Sequence, residues 1–276
     1  MTHSPPSICP SVPAASAPGH RRSQRIEVVD WLRGAAVMLM MLAHGMDAWL
    51  LPGAKSGPSY AAIKVASGIP ARLFLLLVGV SAAIQFETGL TTATPSAVMR
   101  RRLWRRGLQV LGLAYLFRLQ EWLLAHCYGG WEALFRIDIL NAIGSAMILI
   151  ALVAVPRRGR RQITAVLVLA ALFLGLGPWV GPAHFPAWLP RPLTSYIGGQ
   201  RPMAWFPLFP WAAWPLVGVA IGHLWVYASQ DQRRLRRCFV LCCLAGAVMT
   251  STVGIVRHVD PTIIRYPSEV IQQMGP

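Results

Sequence analysis

Apolar residues run along this chain in blocks of about helix-spanning length, divided by short polar stretches. Seven blocks stand out, at 31–51, 69–86, 107–126, 137–155, 162–179, 207–228 and 238–256. A hydrocarbon core is about 30 Å thick and a helix rises about 1.5 Å per residue, so about 20 apolar residues cross it. In lipid the backbone has to satisfy its own hydrogen bonds, which leaves helices as the reading of every block. The pattern predicts an all-α, polytopic transmembrane bundle of about seven spans. Within the sixth block, Gly218 and Gly222 of "GVAIG" have GxxxG spacing, which suits a close helix–helix contact.

The polar stretches alternate in kind. Arg21, Arg22, Arg25 and Arg33 lie at the amino end, and Arg100, Arg101, Arg102, Arg105 and Arg106 precede the third block. Arg157, Arg158, Arg160 and Arg161 precede the fifth, and Arg233, Arg234, Arg236 and Arg237 the seventh. Every second connection is therefore basic, and the positive-inside rule puts those connections and the N-terminus in the cytoplasm. The links 52–68, 127–136 and 180–206 then lie outside. The last, rich in Pro, Gly and Trp, reads as an irregular interfacial loop. Residues 1–24 lack the apolar run of a cleavable signal and, being rich in Pro, Ser and Ala, are expected to form a disordered cytoplasmic tail. Residues 25–256 form the membrane domain, and 257–276 a short C-terminal tail.

Composition agrees. Of 276 residues, 55% are hydrophobic and only 13% charged, with a mean hydropathy of +0.48. Soluble domains carry about 25% charged residues. The net charge of +16 does not signal nucleic acid, because the arginines fall in blocks between oily segments instead of lining one groove-sized face. Cys9, Cys127, Cys238, Cys242 and Cys243 form no CxxC pair and are odd in number, so neither a disulfide framework nor a metal site is expected.

Against this apolar background a few ionisable groups stand out. His44 and Asp47 share a face of the first span, about 20 Å from its cytoplasmic end. Arg118 and Glu121 of "FRLQEW" lie at similar depth in the third. Arg72, Asp138 and Asn141 fall in the outer turns of the second and fourth. A single charge at the bilayer centre costs about 3 kcal/mol or more, so several at one depth point to a shared wet cavity. Blander readings stay open. Arg118 and Glu121 make a self-neutralising i, i+3 pair. Asp30 caps the first helix while Arg33 snorkels to the headgroups. Arg72 anchors at the interface, His44 is an interhelical hydrogen bonder, and His223 is structural.

The stretches "RIEVVDWLRGAAVMLMMLAH", "PARLFLLLVGVSAA", "FRIDILNAIGSAMIL" and "FPLFPWAAWPLVGVAIG" resemble successive blocks of the heparan-α-glucosaminide N-acetyltransferase-like family, which has many bacterial members. The resemblance implies a transmembrane acyltransferase of the bacterial inner membrane. It would move an acetyl group from cytoplasmic acetyl-CoA, as co-substrate, to a sugar amine or hydroxyl outside, with a histidine at the centre. In the heparan-modifying branch that histidine follows the first helix. Here 52–68 holds none, which leaves His44 as the nearby candidate. Relatives carry further helices, so the sequence is expected to be a short variant or incomplete.

On that reading His44 is the general base or a transient acyl carrier, held by Asp47 and Glu121. Arg118 and Asn141 polarise the thioester carbonyl, and Asp138 binds acceptor hydroxyls, with Arg72 at the same depth. Arg33, Arg102, Arg105 and Arg106 are the candidates for the CoA phosphates. The expected partners are the bilayer and a sugar or glycan acceptor; a homodimer is allowed, and nucleic acid is not expected. A proton-coupled transporter and a non-catalytic membrane subunit are the rival classes. The topology is open to direct test: a reporter active only in the cytoplasm should work when inserted at Thr94 and fail when inserted in 127–136.

Overall fold

The computed structural model describes residues 27–51, 53, 55, 57, 60, 63, 66–126, 130–153, 160–177, 179–180, 185–186, 188–199, 203–238, 240 and 244. Both tails expected from the sequence, and all but a few residues of the expected seventh span, lie outside these. The described elements are helical: α1 (Glu27–Trp49), α2 (Ile69–Thr91), α3 (Ser96–Leu124), a 3-10 turn (Trp131–Phe135), α4 (Ile139–Val153), α5 (Arg160–Leu176), α6 (Arg191–Gly198), α7 (Leu208–Trp211) and α8 (Ala213–Ala228).

Among the described residues, three stretches are long and apolar enough to cross a membrane: α1, α2, and the run Leu208–Ala228 formed by α7 and α8. Helices α4 and α5 are apolar but shorter. The third expected span began at 107, whereas α3 starts eleven residues earlier, at Ser96 behind Pro95. Arginine is a good helix former, so the block 100–106 continues the helix instead of ending it. Gln109, Arg118, Gln120 and Glu121 lower the hydropathy of 107–124 even without that block, so α3, about 44 Å long, is not among the spanning candidates. A second correction concerns 180–206, which was expected to be irregular. It contains α6, a two-turn helix started by Pro190 and Pro192, the latter in the first turn where its missing N–H costs nothing.

The hub is the pair α2 and α8, which run parallel. Leu76 and Gly79 of α2 meet Gly218 of α8, Val80 and Ala83 meet Gly222, and Glu87 meets His223. The approach is backbone to backbone. A Cβ on Gly79 would stand 2.7 Å from Val219 N, and one on Gly222 would stand 2.6 Å from the Ala83 methyl. The GxxxG spacing thus marks a real contact, and small residues on both helices make it. The core spreads from there through Phe86, Leu103, Ile150, Val166, Phe173, Leu216 and Val219, drawn from α2, α3, α4, α5 and α8. Helix α1 stays outside it. Only Ala36 of α1 is fully buried; the helix leans on α2 and turns Trp31, Met38, Met41 and Trp49 outward.

Helices α1 and α2, and likewise α3 and α4, run antiparallel. Helix α3 crosses α4 antiparallel, with Gly107 against Gly144 and Ile148 and, further along, Arg118 against Asp138. Arg33 near the start of α1 reaches Ser81 in the second half of α2, at 2.6 Å. This alternation gathers Arg33, the arginines of α3, Arg161 and Arg233 to Arg237 toward one end of the bundle. Arg72, Arg118, Asp138 and Asn141 lie toward the other. The Gly218 contact leaves no room for a side chain, so Gly218→Val should lower the thermal midpoint in detergent by several degrees, the scale of about 1–3 kcal/mol. Gly112→Ala should not, since nothing lies within 4 Å of that Cβ. Equal midpoints for the two variants would refute the contact.

Candidate functional site

The reciprocal contact of Gly107 and Gly144, each Cβ position 2.9 Å from the other's carbonyl oxygen, brings α3 and α4 together. Three turns further along α3, Arg118 is thereby carried to the start of α4. Its side chain is 8% exposed, yet it holds a full charge. Two carboxylates answer it: one guanidinium nitrogen donates to Glu121 on the same helix, the other to Asp138 just ahead of α4. Glu121 also accepts from Arg136 at 3.2 Å. The result is a chain Asp138–Arg118–Glu121–Arg136 of two cations and two anions, formally neutral, which is how such charge tolerates burial.

Asn141, one turn into α4, is 0% exposed. Its Oδ1 accepts the Asp138 backbone N–H at 3.1 Å, so its Nδ2 must be the donor side. That nitrogen makes no well-formed hydrogen bond, although the Tyr115 hydroxyl interacts with this amide. Arg118 Nε and Arg136 Nε are also buried and unpaired. Each such donor costs about 1–3 kcal/mol, so three on neighbouring residues mark a place short of acceptor oxygens.

The segment before α7 covers this region. Ile137 exchanges hydrogen bonds with 203–205, receiving Trp205 N–H at 3.0 Å and donating to the Met203 carbonyl at 2.9 Å. Tyr196 of α6 reaches α4, pairing with the Ser145 hydroxyl and donating to the Asn141 carbonyl at 3.3 Å. Burial pushes the Tyr196 phenol above its usual value, only partly opposed by the Ser145 hydrogen bond, so it stays neutral and able to donate.

The structure brings together Arg118, Glu121, Asp138 and Asn141 from the sequence expectation, and leaves the others apart. His44 and Asp47 lie toward the same end, on α1, with both side chains exposed. The expected meeting of the first, third and fourth spans around His44 is not found, because α1 reaches the bundle through α2. Arg72 donates to the Gly68 carbonyl and lies over the Trp211 ring, 5.8 Å from its centroid. Arg33 binds Ser81 and pairs with Asp30 at 3.4 Å, so these two hold each other instead of acting separately as cap and snorkel. Arg102, Arg105 and Arg106 are exposed toward the opposite end.

Sequence reasoning missed Arg136, Ser145 and Tyr196, although Arg136 stands two residues before Asp138 in an already suspicious stretch. It also missed a second polar pair, toward the arginine-rich end. His223, 8% exposed, has Nδ1 at 2.8 Å from Glu87, while its Nε2 is buried without a partner. No periodicity could have joined residues from two separate blocks. Among the described residues no cluster of His, Cys, Asp or Glu is placed to hold a metal.

The arrangement is that of a helical membrane protein with a neutralised ion cluster and spare N–H donors toward one end. The chain belongs to the family described as heparan-alpha-glucosaminide N-acetyltransferase, catalytic, whose model matches residues 25–256. It is thus a membrane protein of an acyltransferase family. Nothing matches among curated proteins or among solved structures. Removing Asp138 leaves Arg118 with one carboxylate for its charge. Asp138→Ala should therefore cost about 1–3 kcal/mol in detergent unfolding, below the ~3–5 of a fully buried pair because the carboxylate is 36% exposed. A loss no larger than for an exposed ion pair, under about 0.5 kcal/mol, would remove the network from the account of stability.

Proposed function

We propose that the protein spans the bacterial inner membrane seven times with its N-terminus inside, and moves acetyl from cytoplasmic acetyl-CoA to an outer sugar amine or hydroxyl. The observation that carries the reading is the trio of buried donors without a well-formed hydrogen bond, Arg118 Nε, Arg136 Nε and Asn141 Nδ2, in a member of an acyltransferase family. Attack on a thioester puts negative charge on the carbonyl oxygen, and donors already in place stabilise it without reorganisation. Arg118 and Asn141 take that role. Asp138, paired and partly exposed, receives acceptor hydroxyls, and Arg72 lies at the same end of the bundle.

His44, with its exposed ring toward that end of α1, is the proposed base or transient acyl carrier beside Asp47, while Glu121 is held by Arg118 and Arg136. The amine or hydroxyl proton passes to the imidazole, the new C–N or C–O bond forms, the C–S bond breaks, and CoA leaves as the thiol. The gathering of arginines toward the other end supports the orientation and gives the CoA phosphates cationic partners at Arg33, Arg102, Arg105 and Arg106. A second imidazole has a specific observation in its favour: Glu87 fixes the His223 tautomer and leaves Nε2 free, the usual preparation of a histidine base.

Labelled acetyl-CoA supplied to inside-out vesicles separates these readings. Label should enter glycan or lipid-linked sugar, and Asn141→Ala should slow transfer about 100- to 1000-fold. Loss of transfer in His44→Ala, with His223→Ala active, selects the first imidazole, and the reverse selects the second. Wild-type vesicles that consume no thioester, and instead take up solute with a pH gradient, would overturn the acyltransferase reading.

A further inference from the structure

The chain just beyond α8 carries a second charged feature, apart from the cluster at Arg118. Residues 232–238 are helical, and Asp231 starts the helix by accepting the Arg233 backbone N–H at 2.9 Å. The four arginines of this helix divide into two groups. Arg234 is held by the protein itself: it pairs with Asp231 at 3.6 Å and lies over the Tyr227 ring, 4.9 Å from its centroid. Arg233, Arg236 and Arg237, with Val240, follow the i, i+3, i+4, i+7 spacing of a single helix face. All four are exposed, and together they line one open cleft of about 520 Å³. No carboxylate lines it, and none of these three guanidinium groups has an ion-pair partner among the described residues.

Three unanswered cations on one face call for a ligand with more than one negative charge, and the guanidinium fork matches phosphate oxygens. Phosphate has two sources here, a lipid headgroup and a soluble phosphoester. Position and shape favour the lipid. The membrane-crossing stretch Leu208–Ala228 ends just before this helix, so the cleft stands at headgroup height. Tyr227, exposed at the end of that stretch, is a residue type that settles at this level. The face also changes character along its length, from the three arginines to Val240, which is 46% exposed. A soluble phosphate gains nothing from that valine, whereas a lipid lays the root of an acyl chain on it. We propose that this cleft binds an acidic phospholipid with two phosphates, of the diphosphatidylglycerol type. A lipid with one phosphate leaves two of the three charges unanswered; a second phosphate leaves one. The inference needs the protein to sit in a membrane and is independent of the reaction it performs.

The full chain, purified in neutral detergent, is titrated with diphosphatidylglycerol, phosphatidylglycerol, phosphatidylcholine, inorganic pyrophosphate and CoA, with binding read by native mass spectrometry. Each arginine at a membrane surface is worth about fivefold in affinity for acidic lipid. Wild type should therefore hold diphosphatidylglycerol at least about fivefold more tightly than phosphatidylglycerol, with phosphatidylcholine weakest. Arg233→Gln combined with Arg236→Gln and Arg237→Gln should weaken the two-phosphate lipid about 100-fold. Arg100→Gln combined with Arg101→Gln and Arg105→Gln removes as much charge from the same end of the bundle and should change it little. Val240→Ser should weaken the lipid about threefold or more and leave pyrophosphate unaffected. The wild-type comparison and Val240→Ser decide the matter even if the triple variant folds poorly. Equal losses in the two triple variants reduce the site to net charge and overturn it, as does equal affinity for lipids with one and two phosphates. Displacement of the lipid by CoA, or pyrophosphate bound as tightly as the lipid, gives the face to a soluble phosphoester and overturns the lipid site.

Discussion

A guanidinium withdrawn from water costs several kcal/mol unless carboxylates and hydrogen bonds replace its hydration. Arg118 is in that position, and much of the local architecture follows from answering its charge. Glu121 comes with it on α3, but Asp138 has to be delivered by another element, which requires α4 to begin where α3 ends. That in turn requires the two helices to touch closely, which Gly107 and Gly144 permit. The second cation, Arg136, balances the second anion, so the cluster closes without net charge. Three buried N–H groups, on Arg118, Arg136 and Asn141, are left without a well-formed hydrogen bond.

The two ends of the bundle are chemically unlike. One gathers exposed arginines on several helices, the arrangement that holds anionic headgroups or phosphates. The other has a neutral ion cluster, a buried amide and two hydroxyls under an aromatic cover. Between them the bundle is held by small residues packed on backbone, where α2 and α8 come too close for any larger side chain.

Most of the helices were legible in the sequence because lipid imposes a simple rule: long apolar runs must be helical. The α2–α8 contact was half-legible, since GxxxG marked α8 but Gly79 and Ala83 carry no comparable signal. Boundaries were legible only where proline or a change of composition set them. Arginine looked like an end to the oily stretch at 107, yet its backbone is content in a helix and α3 runs on. In the site, Arg118, Glu121, Asp138 and Asn141 were visible as polar residues out of place. Tyr196 and Ser145 were not, because hydroxyls carry little penalty in an apolar run and stand out only when two distant ones meet. The position of α1 was the least legible feature. An apolar helix face reads the same whether lipid or protein covers it, so nothing in the sequence could tell that α1, which carries His44, would reach the bundle through α2.

The short pairing at Ile137 has a mechanical consequence. Both its N–H and its carbonyl are spoken for by 203–205, and the next residue is Asp138. The covering segment and the anion that balances Arg118 are therefore fastened at the same hinge. A change that breaks the Ile137 pairing therefore acts one residue away from the carboxylate that compensates Arg118.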